Sequence, residues 1–245
     1  MTALYIFLVL MVSQCVFSET GKLHLPSEPC EVSDIDCVSK ATQAFFYNTS
    51  DGIPEYDIKK LDPIVIPSLE KTIEKLNLNV HYKNVKVTGF KNQQITHFEL
   101  ERETKAVQFK TKVNFTAEGE LTIELPKISK SFAGTITIDA SAEGGAAYSY
   151  TVKTDDKGVE HYEAGPETLS CTVLGEPTIE LSSDLKAALE KDADVQKLLA
   201  DYTKHAPESN KVTVCNIVKT VYAVSIHNIR AAAKVLPKSA YFKNV

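Results

Sequence analysis

The C-terminal segment from about Val212 to Leu236 constrains the fold more than any other part of the sequence. Its apolar residues lie on most sides of a helix, and they are Val214, Ile217, Val218, Val221, Val224, Ile226 and Ile229. A helix that is apolar on all sides is buried on all sides. Between an interruption at Pro207 and an end at Pro237, this helix would be about 37 Å long. The rest of the chain must therefore surround a long apolar rod.

The middle of the chain has the alternation of apolar and polar residues that is typical of strands. From Val107 to Phe115 the apolar residues and Thr111 share one face, and polar residues occupy the other. The alternation that starts at Leu78 slips by one residue before Val85, which predicts a β-bulge. Asp155 to Gly158 predicts a hairpin turn. We therefore predict an α+β fold, in which a strongly curved antiparallel sheet wraps around the long C-terminal helix.

Shorter helices are predicted on either side of these strands. Ser33 is expected to cap a helix that runs to about Phe46, and Ser182 to Asp184 is a helix start signal. Pro63 is a favourable first residue for a helix from Ile64 to Leu76. The stretch between Ile53-Pro54 and Asp62-Pro63 is expected to be extended.

The first residues predict export. Leu4 to Val12 is an unbroken apolar run, which is shorter than the ~20 residues of a membrane-spanning helix and typical of a signal peptide. We predict a signal peptide over residues 1–18 with cleavage after Ser18; the alternative is a buried N-terminal strand or helix. The remainder, residues 19–245, has no linker-like stretch and is expected to form one secreted domain without stable membrane insertion.

Four cysteines remain once Cys15 is removed with the signal peptide. An even number in an exported chain predicts two disulfides, for which three connectivities are possible. Pairing Cys30 with Cys37 is the local choice, and it leaves Cys171 with Cys215. Asn48 and Asn114 begin glycosylation sequons, and each is predicted to lie on the surface.

The composition argues against several functional classes. A net charge of −5 with scattered Lys and Glu provides no basic footprint for nucleic acid or anionic lipid. Neither a CxxC pair nor histidines at metal-ligand spacing are present, so no metal is predicted. The common motifs of hydrolases, metalloproteases and nucleotide-binding enzymes are absent, and no cofactor is indicated. Binding is therefore favoured over catalysis.

A few polar or aromatic residues lie where they could serve a binding site. Tyr148 and Tyr150 share an apolar strand face, where a phenol either pairs with protein or water or anchors the polar atom of an apolar ligand. His227 and Asn228 could line a cavity, but a solvated helix stripe is favoured. Phe242 and its neighbour Tyr241 either close over a cavity mouth or simply pack the tail.

Several motifs resemble the takeout / juvenile hormone-binding protein family of insects over about Pro29 to Phe242. They are Cys30-x6-Cys37, Gly52-Ile53-Pro54-Glu55-Tyr56-Asp57, Leu61-Asp62-Pro63, Val87-Thr88-Gly89-Phe90 and Ile226-His227-Asn228 through Pro237. The second cysteine pair, Cys171 and Cys215, and the stretches Gly89 to Ile95 and Pro166 to Pro177 resemble the haemolymph juvenile hormone-binding branch in particular.

The resemblance implies a long helix wrapped in a curved sheet, and a haemolymph carrier that encloses juvenile hormone and delivers it to tissues. It implies that Tyr148 donates a hydrogen bond to the hormone's epoxide. By position it places Ile53, Pro54 and Tyr56 near the cavity mouth and Phe242 on a C-terminal tail that helps to gate it. Possible partners beyond the apolar ligand are receptors on target tissues.

Three other functions remain open at this point. The first is a carrier of the same fold for a fatty acid, an odorant or another terpenoid. The second is an esterase or other lipid enzyme, and the third is an interaction protein whose core is filled. A lipocalin is disfavoured because that family's signature uses Trp, and this chain has none.

Overall fold

The computed structural model describes residues 28–202 and 206–243. Within these ranges four α-helices and seven strands follow one another along the chain. They are α1 (Ile35–Asn48), β1 (Ile64–Ile73), β2 (Leu78–Thr88), β3 (Gln94–Glu101), β4 (Ala106–Leu125), β5 (Lys130–Thr154), β6 (Glu160–Val173), β7 (Thr178–Leu181), α2 (Ser183–Lys191), α3 (Ala193–Tyr202) and α4 (Ala206–Val235). The predicted signal peptide falls on residues 1–18, outside the described residues.

The strands form one antiparallel sheet whose central hairpin is unusually long. β4 pairs with β5 in continuous register from Ala106 opposite Ser149 to Leu125 opposite Lys130. The order across the sheet is β1-β2-β4-β5-β6, while β3 also pairs with β4 and β7 with β5. The two ends of the long hairpin therefore have different neighbours, and the predicted bulge in β2 lies between Lys83 and Lys86.

Helix α4 lies in the concave side of this sheet and packs against β1, β5 and β6. Tyr222, in the middle of the helix, is 1% exposed and packs on Phe90 and Phe109. A Cβ atom added at Gly144 of β5 would lie 2.5 Å from the Tyr222 ring. Glycine at this position therefore allows the helix to approach the sheet closely, and the predicted α+β arrangement of curved sheet and buried helix is confirmed.

The segment from Ile64 to Ile73 is strand β1, so the predicted helix over Ile64 to Leu76 is wrong. Ile64 and Ile66 pair with Val87 and Val85 of β2, and only residues 74–76 form a helical turn, of the 3₁₀ type. Pro67 is tolerated because β1 is an edge strand, where a missing N–H need not break a ladder. Pairing with β2 outweighs the local helix signal.

Three other features of local structure differ from the predictions. Asp34 and not Ser33 caps α1, and its Oδ1 accepts a hydrogen bond from the Cys37 amide at 2.9 Å. Residues 53–58 are not extended, because Pro54–Tyr56 forms a 3₁₀ turn. Helix α4 begins at Ala206 and has 30 residues, so it is about 45 Å long. Pro207 lies in its first turn, where a proline loses no helical hydrogen bond.

Both disulfides of the local pairing are present in the structure. Cys30 bonds to Cys37, and Cys171 on β6 bonds to Cys215 on α4. The first joins the N-terminal segment to α1, and the second ties the long helix to the sheet. Among the described helices, none combines the length and apolar character needed to cross a bilayer.

Candidate functional site

An apolar cavity of about 160 Å³ lies where the C-terminal part of α4 meets the ends of β3 to β6. Helix α1, the N-terminal segment and the C-terminal tail complete its walls. Its lining is largely aliphatic and aromatic: Glu28, Cys30, Val38, Ala41, Thr42, Phe45, Phe98, Leu100, Val107, Tyr148, Tyr150, Tyr162, Ala164, Ile229, Ala232, Ala233, Ala240, Tyr241 and Phe242. Apolar cavities of about this volume can hold small apolar molecules.

The sheet wall follows from strand register. Leu100 of β3 is paired with Val107 of β4, which is paired with Tyr148 of β5. Directly paired residues point to the same face of a sheet, so all three line the cavity. Tyr150, two residues further along β5, points the same way and is paired with Ala164.

The helical walls combine one bulky and several small side chains. On α4, Ile229, Ala232 and Ala233 share one side at helical spacing, and the two alanines leave room that larger residues would fill. On α1, Phe45 is 6% exposed and contributes an aromatic wall. The cavity therefore exists because α4 carries small residues where the sheet carries large ones.

The two ends of the described chain meet at the cavity. The Cys30 amide donates to the Tyr241 carbonyl at 3.0 Å, and the Lys243 amide donates to the Cys30 carbonyl at 2.8 Å. The Cys30–Cys37 disulfide links this bridge to α1. The Tyr162 ring contacts the rings of both Tyr241 and Phe242 edge-on. The tail, the N-terminal segment and α1 thus form one connected cover.

Tyr148 is a phenol of the cavity wall that lies within the influence of the Arg230 charge. Burial raises the pKa of Tyr148, while the charge of Arg230 opposes this rise. The side chain lines the cavity, and no hydrogen bond from a described residue contributes to its pKa. Its hydroxyl is therefore neutral at physiological pH and available as a donor.

Arg230 of α4 holds the β6 segment opposite Tyr148. Its Nε donates to the Ala164 carbonyl at 3.3 Å, and its guanidinium also bonds to the Gly165 carbonyl and pairs with Glu167. Burial would raise the pKa of Glu167, but the hydrogen bond and charge of Arg230 bring it below its ordinary value. The β5–β6 register shifts at this point, between Tyr148 and Tyr150. Arg230 therefore fixes the sheet irregularity beside the cavity.

The remaining polar groups of the lining are few. Burial raises the pKa of Tyr162 to about 12 and also raises that of Tyr241. Among the described lining residues, Glu28 is the one with a charged side chain, and it is exposed. In the described ranges, His, Cys, Asp and Glu form no group of three that could hold a metal ion. The cavity offers phenol donors and apolar surface to a ligand.

Comparisons with known proteins agree with this geometry. The family model described as haemolymph juvenile hormone binding protein matches residues 6–128. The juvenile hormone-binding protein of Manduca sexta is 43% identical over 231 residues, which cover 94% of this chain and all of that protein. The chain belongs to the haemolymph juvenile hormone-binding protein family.

One solved structure is similar to this chain in its fold. The crystal structure of Epiphyas postvittana Takeout 1 superposes with a TM-score of 0.74 and covers 89% of this chain and all of that chain. At 16% identity this likeness concerns the curved sheet and the long helix alone.

The structure brings some of the predicted site residues to the cavity and not others. Tyr148 and Phe242 are in the lining. Ile53, Pro54 and Tyr56 are not, although Ile53 and Tyr56 pack against the main hydrophobic core. Their segment closes on itself through a bridge from Ile53 to Ile58 and lies against α4. In this family member these three residues are therefore separate from the described cavity wall.

The favoured interpretation of His227 and Asn228 as a solvated stripe is wrong for Asn228. Asn228 is 2% exposed, and it bonds to both the amide and the carbonyl of Lys59 at 2.8 Å. His227 is partly exposed and contacts the Asp57 carbonyl at 2.9 Å and its carboxylate at 3.1 Å. Neither residue lines the cavity, and both hold the 53–59 segment on the helix.

Sequence reasoning missed Tyr162 and Arg230 as residues of the site region. Tyr162 begins an alternation with Ala164 on β6, which would have indicated an inward face. Arg230 carried no local signal, because its partners lie more than 60 residues away. Both sequon residues, Asn48 at the end of α1 and Asn114 on β4, are exposed, as a glycan acceptor requires.

Proposed function

We propose that this protein is a secreted haemolymph carrier that encloses juvenile hormone and delivers it to tissues. The observation that carries the proposal is the apolar cavity with the Tyr148 phenol in its wall. The 43% identical Manduca sexta protein, named for juvenile hormone binding, supports the choice of ligand.

Enclosure provides most of the binding free energy. Each 100 Å² of apolar ligand surface removed from water contributes about 2.5 kcal/mol, before the loss of the ligand's freedom of motion is subtracted. One hydrogen bond from Tyr148 to an ester or epoxide oxygen adds about 0.5–1.5 kcal/mol and fixes the ligand's orientation. Because the cavity has a volume of only about 160 Å³, a long terpenoid requires the cover formed by α1 and the tail to move outward.

The charges at the cavity favour an uncharged ligand over a fatty acid. A carboxylate that leaves water needs a cation or several strong donors as partners. The described lining contains no Lys or Arg, and its exposed Glu28 would repel a carboxylate at the mouth. A neutral ester or epoxide meets neither obstacle.

A carrier of this kind needs no catalytic step. The phenols of Tyr148 and Tyr241 stay protonated and donate hydrogen bonds, and they are not activated as nucleophiles because burial raises their pKa. We therefore propose that the bound hormone is shielded and released unchanged. The two disulfides support an extracellular location, and receptors on target tissues would be the natural recipients.

The proposal is tested by titrating the purified secreted protein with labelled juvenile hormone, using unlabelled oleate as competitor. We expect sub-micromolar binding that oleate displaces poorly. Tyr148→Phe should weaken binding by about two- to twelvefold, as the loss of one hydrogen bond predicts. Recovery of intact hormone after incubation tests the absence of catalysis.

Other outcomes would redirect the assignment. Equal affinity for hormone and oleate would make the protein a carrier of other apolar ligands, to be identified by solvent extraction and mass spectrometry. A hydrolysed hormone would indicate a lipid enzyme. No binding of either compound would support an interaction protein with a filled core.

A further inference from the structure

Among the described residues that line the cavity, Tyr241 is the one whose buried side-chain oxygen has no hydrogen-bond partner. Buried phenols normally find a partner, because an unmade hydrogen bond in a dry environment is unfavourable. Because the Tyr241 side chain belongs to the cavity wall, a ligand that enters the cavity and shifts the tail can supply this partner.

The surroundings of Tyr241 tie it to Tyr148. Both side chains line the same cavity, and the Tyr162 ring packs edge-on against Tyr241 at 5.7 Å between centroids. The Tyr148 phenol is close enough to add to the rise in the pKa of Tyr241, whose main cause is burial. The two phenols thus lie near one another, one on β5 and one on the tail.

We propose that the Tyr241 hydroxyl is a second hydrogen-bond donor of the binding site and acts, with Tyr148, on the uncharged oxygen end of the ligand. This assignment rests on the proposed carrier function and deepens it. An epoxide, ether or carbonyl oxygen carries two lone pairs and accepts two hydrogen bonds. The paired donors would select ligands with such an oxygen over plain hydrocarbons of equal length.

The position of Tyr241 on the tail gives this hydrogen bond a second effect. The carbonyl of the same residue accepts from the Cys30 amide at 3.0 Å, which joins the tail to the N-terminal segment. A ligand oxygen bound by the Tyr241 hydroxyl would therefore hold the cover in its closed position. The expected result is slower dissociation of the ligand rather than faster association.

Two phenylalanine variants separate a ligand contact from a structural contact. Tyr241→Phe removes a hydroxyl that has no partner in the free protein, so the urea midpoint of the free protein should stay the same or rise. Its affinity for labelled juvenile hormone should fall by about two- to twelvefold, mainly through faster dissociation. Tyr222→Phe is the matched control, because its buried hydroxyl bonds to Thr111 and lies outside the cavity lining.

The control should show the opposite pattern, with a lower urea midpoint and an unchanged hormone Kd. A hormone analogue with a double bond in place of the epoxide identifies the oxygen concerned. If Tyr241 acts on the epoxide, the analogue should bind equally to wild-type protein and Tyr241→Phe.

The outcomes distinguish this assignment from the carrier proposal. If wild-type protein binds the hormone and Tyr241→Phe binds it with the same Kd and dissociation rate, the second donor is refuted and the carrier function stands. A fall in the urea midpoint of free Tyr241→Phe to match the control would assign the hydroxyl a structural role and overturn the inference. Failure of wild-type protein to bind the hormone overturns both.

Discussion

Replacing Asn228 with alanine should loosen the 53–59 segment from α4 and lower the free energy of unfolding by about 2–4 kcal/mol. The side chain is 2% exposed, and its Oδ1 and Nδ2 atoms each bond to Lys59 backbone at 2.8 Å. These two contacts join residues 169 positions apart in the sequence. Glutamine, which is longer by one methylene, is the other residue whose neutral amide can pair with an N–H and a carbonyl at once.

The magnitude follows from counting the groups affected. Two neutral hydrogen bonds contribute about 0.5–1.5 kcal/mol each, and a partner left buried without a replacement costs about 1–3 kcal/mol. Because Lys59 lies in an exposed stretch, water can reach part of the freed backbone and moderate the second effect. The expected loss in the free energy of unfolding therefore lies between the contribution of two hydrogen bonds and the cost of leaving two backbone groups buried without partners.

Asn228→Asp adds a pH dependence with a known sign. The carboxylate would accept from the Lys59 amide but face its carbonyl, and only the protonated acid could donate to that carbonyl. The pKa of the introduced group in the folded state should therefore lie above its unfolded value of about 3.9. Its stabilising contribution is complete below that pH and is lost as pH rises through the folded pKa.

Urea unfolding followed by circular dichroism measures both effects, with free energies taken from the midpoints and slopes. Asn216→Ala is the matched control, because Asn216 is an exposed asparagine on the same helix. The control should change stability by less than about 0.5 kcal/mol. If Asn228→Ala is no more destabilising than the control, or if Asn228→Asp is equally stable at acid and neutral pH, the reasoning is refuted.

Three further substitutions test other contacts. Gly144→Val would place its side chain against the Tyr222 ring and should destabilise the protein by about 1–3 kcal/mol in thermal unfolding, whereas a neutral result would mean that α4 can shift. Replacing the Cys171–Cys215 pair with serines opens a loop of 44 residues and should lower the free energy of unfolding, measured in urea, by about 4 kcal/mol. A smaller loss would mean that the denatured state retains residual structure. Arg230→Met leaves Glu167 of β6 unpaired and should lower the free energy of unfolding by about 2–3 kcal/mol at neutral pH. The loss should be smaller below about pH 4, where the Glu167 carboxylate becomes protonated, and equal losses at the two pH values would contradict the ion pair.

The sequence predicts best where one strong local pattern has one structural solution. The alternation from Val107 to Phe115 and the all-round apolar helix around Val221 each allowed a single interpretation, and both are confirmed. Together they determined the wrapped architecture. The bulge before Val85 was also visible as a slip in phase.

Prediction failed where distant partners decide between local alternatives. Ile64 to Leu76 has a proline start and some helical spacing, yet its pairing with β2 makes it a strand. Asn228 sits in a helix with nothing to indicate that Lys59 will meet it. In the candidate site, the family resemblance pointed to Tyr148, but the lack of a partner for the Tyr241 hydroxyl depends on three-dimensional packing that no local pattern encodes.

The hydrogen bonds of Cys30 with Tyr241 and Lys243 have a practical consequence for anyone who produces this protein. Cys30 and Tyr241 are 211 positions apart in the sequence, so the chamber can be completed only after the ribosome has released the segment that contains Tyr241. A bulky tag placed directly behind Lys243 would crowd this bridge. Recombinant protein tagged at that position should therefore leak its cargo, while protein tagged far from Cys30 and Lys243 should retain it.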